Sequence, residues 1–187
     1  MRKVVLGLGI SFDGYIARKN GAVDWLSMDW DYDWTKFFKT IDVVLMGRKT
    51  WEIALGMNPN KKEKTKLKAK NPYGGMETYI FSNSLKESGV DGVPVISGNL
   101  REFIDNLKKK DGKNIWLSGG GELAKSFLDE DLVDEINLGV TPILLGAGLP
   151  LFPELIREIP LKFISCNICK HKKEDNAMLE LTYEIKR

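Results

Sequence analysis

Two apolar runs of strand length, Val43-Val44-Leu45-Met46 and Asn114-Ile115-Trp116-Leu117, stop at or just before glycine, and a helical pattern restarts within a few residues of each stop. Strands that feed helices in this way belong in a parallel sheet, because parallel neighbours need a crossover connection whereas antiparallel neighbours need only a short turn. The same rhythm runs through most of the chain. Strand-length runs at Val4 to Ile10, Val43 to Met46, Thr78 to Phe81, Val93 to Ile96, Asn114 to Leu117, Asp134 to Val140, Leu161 to Ile168 and Met178 to Ile185 predict about eight strands. Leu100, Phe103, Ile104 and Leu107 share one helical face, and Leu123, Ala124, Phe127 and Leu128 repeat the spacing after a triple glycine. The order predicts an α/β domain whose mainly parallel sheet is covered on both faces. The last two runs depart from it. Only a polar turn containing Glu174-Asp175-Asn176 separates them, which predicts an antiparallel hairpin at one edge and hence a mixed sheet. A chain of 187 residues fits one such domain.

Composition narrows the partners. With 28 basic and 26 acidic residues the net charge is +2, so no global field calls for nucleic acid or an anionic membrane, and any anion must be held locally. No apolar stretch approaches the roughly 18 residues of a membrane span. The run after Met1-Arg2-Lys3 passes straight into Ser11-Phe12-Asp13-Gly14 and reads as a buried first strand, which places the chain in the cytoplasm. Asn58 to Tyr73, with six lysines between Lys61 and Lys70, reads as a surface excursion. Cys166 and Cys169 lie three positions apart on a strand and point to opposite faces, so neither a disulfide nor a metal site is expected of them. His171, in the polar run Lys170 to Asn176, reads as a solvated residue at the hairpin tip.

Three strand ends carry chemistry. In Leu117-Ser118-Gly119-Gly120-Gly121-Glu122-Leu123 a strand stops in glycines and restarts as a helix, so a ligand can approach the main chain and the helix's first amides favour an anion. Gly47-Arg48-Lys49-Thr50 repeats that join with two cations beside it. Ser82-Asn83-Ser84 ends a third strand in short hydrogen-bonding side chains. A tight structural turn explains each glycine group as well as a phosphate cradle does. The usual dinucleotide fingerprint is absent, because Phe12 stands where its third glycine would be. No GxSxG elbow, metal cluster or relay histidine is present.

Gly47-Arg48-Lys49-Thr50-Trp51-Glu52 and Leu117 to Leu123 are similar to the two cofactor motifs of dihydrofolate reductase, and Asp13-Gly14-Tyr15-Ile16-Ala17 occupies the corresponding place after the first strand. Over nearly the whole chain the sequence more closely resembles the reductase-domain group of bifunctional riboflavin-biosynthesis deaminase-reductases and its stand-alone relatives. The marks are Ser11-Phe12-Asp13-Gly14 and the run from Pro142 to Phe152. The resemblance implies a three-layer dihydrofolate-reductase-like fold, a homodimer, and NADPH as hydride donor. Nicotinamide would lie near Ile16 and Ala17, with diphosphate at the amides of Gly47 to Thr50 and of Gly120 to Leu123, beside Ser118 and Gly119. Arg48, Ser82, Asn83 and Ser84 would hold the adenosine 2′-phosphate.

In folate reductases a carboxylate on the helix before the Gly-Arg motif holds the pterin, and counting back from Gly47 puts Asp31 near that position with Asp33 beside it, the two candidate catalytic acids. Both suit a helix start equally well. Asp13 reads as either a turn residue or a pocket acid, and Trp25, Trp30 and Trp34 either pack the core or line a flat substrate. Arg18 is the one arginine near the expected pocket outside the cofactor motif. The expected activity is hydride transfer from NADPH to a small heterocycle or a riboflavin-pathway ribosylaminopyrimidine. Dihydrofolate reduction and a non-catalytic nucleotide-binding module are the alternatives.

Overall fold

In chain order the elements are β1 (Val4–Ser11), β2 (Tyr15–Ala17), α1 (Trp34–Lys39), β3 (Ile41–Gly47), α2 (Arg48–Ala54), β4 (Glu77–Phe81), β5 (Val95–Ile96), α3 (Leu100–Lys108), β6 (Asn114–Leu117), α4 (Gly121–Asp129), β7 (Glu135–Thr141), β8 (Leu149–Pro150), β9 (Leu161–Lys170) and β10 (Ala177–Ile185). The computed structural model describes residues 2–56 and 70–187. Most of the lysine-rich stretch lies outside them. Eight strands form one sheet in the order β5-β4-β3-β6-β1-β7-β10-β9. The first six run parallel, and β10 and β9 close the edge as an antiparallel hairpin.

Strand alternation sorts the apolar residues into two cores. Val4, Leu6, Val43, Leu45, Ile115 and Leu117 pack with Ile104, Leu107, Ala124 and Phe127 of α3 and α4 on one face. Val44, Met46, Ile80 and Trp116 pack with Trp51 of α2 and with Phe37 and Phe38 of α1 on the other. On that second face the pattern lapses at β1 and β7, which present Gly7, Gly9, Asn137 and Gly139 in adjoining register. Side chains from elsewhere lie over these glycines instead: Phe37 and Trp116 against Gly7, Leu26 against Gly9 and Met178 against Gly139.

Two short strands escape sequence reading because three and two residues carry no periodicity. β2 pairs with β8 as a separate two-stranded sheet. The pairing belongs to a clasp that joins the residues after β1 to those after β7. Asp13 accepts from the amides of Leu145 at 3.1 Å and Gly146 at 2.7 Å and from the Ser11 hydroxyl at 2.6 Å. Phe12 N donates to Ile143 O, and Leu151 N to Gly14 O. The Ser11 hydrogen bond and the two amides hold the Asp13 carboxyl below the usual carboxylate range. Asp13 is thus a loop anchor, and it is absent from the cavity wall described below.

His171 is more involved than a solvated tip residue. Its ring meets Trp30 edge-on at 4.8 Å, Nε2 lies 3.1 Å from the Ser27 hydroxyl, and Nδ1 accepts from Glu174 N at 3.1 Å. It pins the segment before α1 to the β9–β10 turn. Cys166 is exposed and Cys169 buried, on opposite faces as expected. Among the described residues no helix is long and apolar enough to cross a membrane.

Asp134, just before β7, ties the chain's ends together. It accepts from Val4 N at 2.7 Å, Lys108 Nζ at 2.5 Å and Arg187 at 2.8 Å. Burial pushes its pKa up, but Lys108, the Val4 amide and Arg187 outweigh burial and leave it below the usual value. A depressed carboxyl pKa contributes stability that is fully present above the unfolded value and is lost as pH falls through the folded one. Asp134→Asn leaves Lys108 without its partner and is expected to cost about 2 kcal/mol near neutral pH, less than a fully buried pair would. In urea unfolding the gap from wild type should narrow as pH drops below the ordinary carboxylate range. A gap independent of pH would contradict this.

Candidate functional site

Because β3, β4, β5 and β6 are parallel neighbours, their carboxyl ends share one rim. Two of those ends are joined directly, Gly47 N donating to Gly119 O at 2.9 Å. The helices that follow are capped by Gly47 and Gly120 without any side-chain hydrogen bond, which leaves first-turn amides of α2 and α4 available to a ligand. Gly119 takes φ +90°, and the Gly119–Gly120 peptide is cis. At Gly121 a Cβ would stand 2.3 Å from Pro150 O and 3.1 Å from Leu151 O. The glycine is required there because the β8 backbone lies directly against the start of α4.

Below this rim opens a cavity of about 1130 Å³, as large as the upper range of small-molecule sites, roughly 1,000 Å³. Gly47, Arg48, Lys49, Thr50, Ser82, Asn83, Ser118, Gly120, Gly121, Glu122 and Leu123 line one end together with Ile16 and Ala17 of β2. Arg48 is paired with Glu52 one turn on, at 2.6 Å. Two expected residues are not on the wall. Gly119 spends its carbonyl on Gly47, and Ser84 closes a turn by donating its amide to the Ser82 hydroxyl at 3.2 Å. Ser97, Gly98 and Leu100 extend the rim at the β5–α3 join. They repeat the strand–glycine–helix pattern between the Val93 to Ile96 run and the Leu100 helix, both read from sequence, but the single Gly98 did not mark that join as part of a site.

The other end is a trough. Its base is the flat Gly7, Gly9 and Gly139 backbone, and its sides carry Trp30, Tyr32, Trp34, Phe37 and Trp116. The Trp116 indole donates to Gly7 O at 2.6 Å and contacts Phe37, Phe38 and Tyr73 at 5.4 to 5.7 Å. A Cβ at Gly9 would come within 2.6 Å of Leu26, so the segment before α1 lies close over the strand.

The two expected acids stand elsewhere. Asp33 caps α1 through Lys36 N at 3.0 Å, and Asp31 is exposed; neither touches the cavity. The reason is local. Residues 30–34 alternate as an extended chain does, so Trp30, Tyr32 and Trp34 take the wall and the intervening aspartates face away. Trp25 is buried off the wall, and Arg18 makes a surface fork with Asp24 at 2.8 and 2.9 Å. The carboxylate that does reach the trough is Glu180 of β10, opposite Gly139 in the sheet. Among the described residues no cluster of His, Cys, Asp and Glu could hold a metal ion.

Known proteins are similar to this chain in sequence and fold. The model of the RibD C-terminal domain matches residues 2–172. Two Bacillus subtilis proteins, the uncharacterized YwjB and YyaP, are 36% and 37% identical over 164 and 166 residues, covering 86% and 88% of this chain and 88% and 87% of their own lengths. A provisional riboflavin biosynthesis protein of Shewanella sp. PV-4 superposes with a TM-score of 0.76 at 27% identity over the full length of both chains. A dihydrofolate reductase from Enterococcus faecalis, solved with NADP(H), superposes at 0.66 with 16% identity over 99% of this chain and 97% of its own. The mixed sheet with its glycine rim is therefore a dihydrofolate-reductase-like fold. Because the match runs from β1 to the turn after β9 and so takes in the rim and most of the trough, the chain belongs to the RibD C-terminal domain family of reductases.

Proposed function

We propose that the protein is an NADPH-dependent reductase that transfers hydride to a C=N or carbonyl carbon of a small heterocycle. One observation carries this reading: the glycine rim and the flat aromatic trough are two ends of a single cavity. Open amides of α4, with those of α2, would hold the diphosphate. Arg48, helped by Ser82 and Asn83, would hold a 2′-phosphate, and Ile16 and Ala17 would back the nicotinamide. When bound, the cofactor supplies the hydride. The chain's part is to align donor and acceptor carbons. The acceptor's π pair moves to nitrogen or oxygen, which takes a proton from solvent.

Trp30, Trp34 and Trp116 border the cavity, so intrinsic fluorescence reads its occupation. Titration should show NADPH binding more tightly than NADH. Arg48→Ala should weaken NADPH by roughly 10-fold through loss of one charge-assisted contact, and NADH far less. Equal affinity for the two nucleotides in wild type would remove the 2′-phosphate role. Loss of NADPH absorbance with dihydrofolate or with a ribosylaminopyrimidine then identifies the acceptor class. Binding without turnover of any acceptor would support a non-catalytic module instead.

A further inference from the structure

Glu180 has no part in holding the nucleotide, and its surroundings are unusual for a carboxylate. Its two oxygens are held by side-chain amides, Asn137 Nδ2 at 3.0 Å and Asn167 Nδ2 at 2.9 Å. The Tyr32 hydroxyl bonds to it as well, and burial together with that carboxylate raises the phenol's pKa, keeping it a donor. Among the described residues no lysine or arginine forms an ion pair with Glu180. Neutral donors fix the group in place and leave its charge unmatched.

What remains on offer is acceptor capacity. Asn137 spends both Nδ2 hydrogens, on Glu180 and on Thr182 Oγ1 at 3.0 Å, which leaves a ligand only its acceptor Oδ1. Glu180 and Asn137 occupy adjacent register rows beside Gly9 and Gly139, and all four line the cavity. Trp30 and Trp34 add π faces that favour a cationic or electron-poor ring. Among the described residues the cations on the cavity wall are Arg48 and Lys49 at the rim and Lys19 in the turn after β2.

Resting on the reductase reading, we infer that Glu180, with Asn137, selects the substrate by accepting hydrogen bonds from a donor-rich edge of a planar heterocycle, amidine-like or amino-substituted, and disfavours an anionic group there. A neutral or cationic amino-heterocycle fits this end, and a phosphorylated one does not.

An isosteric probe series tests this on the NADP⁺-loaded protein and, in parallel, without nucleotide. Benzamidine should bind, benzamide at least about 10-fold more weakly, and benzoate and ribose 5-phosphate not measurably. Glu180→Gln should lower benzamidine to the benzamide level while NADP⁺ affinity and melting temperature stay as in wild type. Benzoate or ribose 5-phosphate binding in the trough as well as benzamidine would overturn the inference, as would unchanged benzamidine affinity in Glu180→Gln. The wild-type probe order decides even where the variant fails to fold. Absence of NADP⁺ binding with the benzamidine preference intact would overturn the reductase reading alone.

Discussion

Gly121→Ala is expected to lose NADPH binding by roughly 100-fold, about 2.7 kcal/mol, and to lower stability by a further 1–3 kcal/mol or so. The added methyl would meet Pro150 O at 2.3 Å and Leu151 O at 3.1 Å. Both are backbone atoms, so no side chain can rotate away. Either the first turn of α4 or strand β8 must shift, and each displacement harms the cofactor end. A shifted α4 moves the amides proposed to hold the diphosphate; a shifted β8 carries β2, and with it Ile16 and Ala17. Gly75→Ala is the control, because a Cβ there meets nothing within 4 Å. Fluorescence titration and thermal melting of the two variants give the comparison. Wild-type NADPH affinity in Gly121→Ala would show that the close approach is not required.

Trp116→Ala should be the most destabilising single change in the trough, by about 3–5 kcal/mol. The indole is 9% exposed and sits among Phe37 and Phe38 of α1 and Tyr73 before β4, so its removal opens a void that two separate segments border. Domains of this kind have only about 5–15 kcal/mol in total, so equilibrium urea unfolding should show a much earlier midpoint. Trp116→Phe separates packing from hydrogen bonding. It keeps most of the ring contacts but leaves Gly7 O without its donor, at about 1–2 kcal/mol. A loss in Trp116→Phe as large as in Trp116→Ala would mean that the hydrogen bond, and not the packing, dominates.

The large sheet was legible because its strands alternate against two covered faces. Val43 and Leu45 point one way and Val44 and Met46 the other, which yields the continuous apolar run read as a parallel strand. The glycine rim was legible for a related reason, since strand ends entering helices carry local marks. The trough was not, because its parts are assembled by register. Glu180 is one polar residue in Met178-Leu179-Glu180-Leu181-Thr182, and only its pairing with Gly139, beside Gly9, brings it to the trough. Asp31 and Asp33 were drawn in by counting along the chain, which ignores that residues 30–34 present alternate side chains to opposite sides.

The clasp has a consequence for how the chain can vary. The Asp13 carboxylate finds its amide donors at Leu145 and Gly146, and a Cβ at Gly148 would come within 2.3 Å of Ala17 O. Residues 11–17 and 142–151, more than a hundred positions apart in the chain, therefore behave as one interchangeable part. A relative's version of either segment should graft successfully only when its counterpart travels with it.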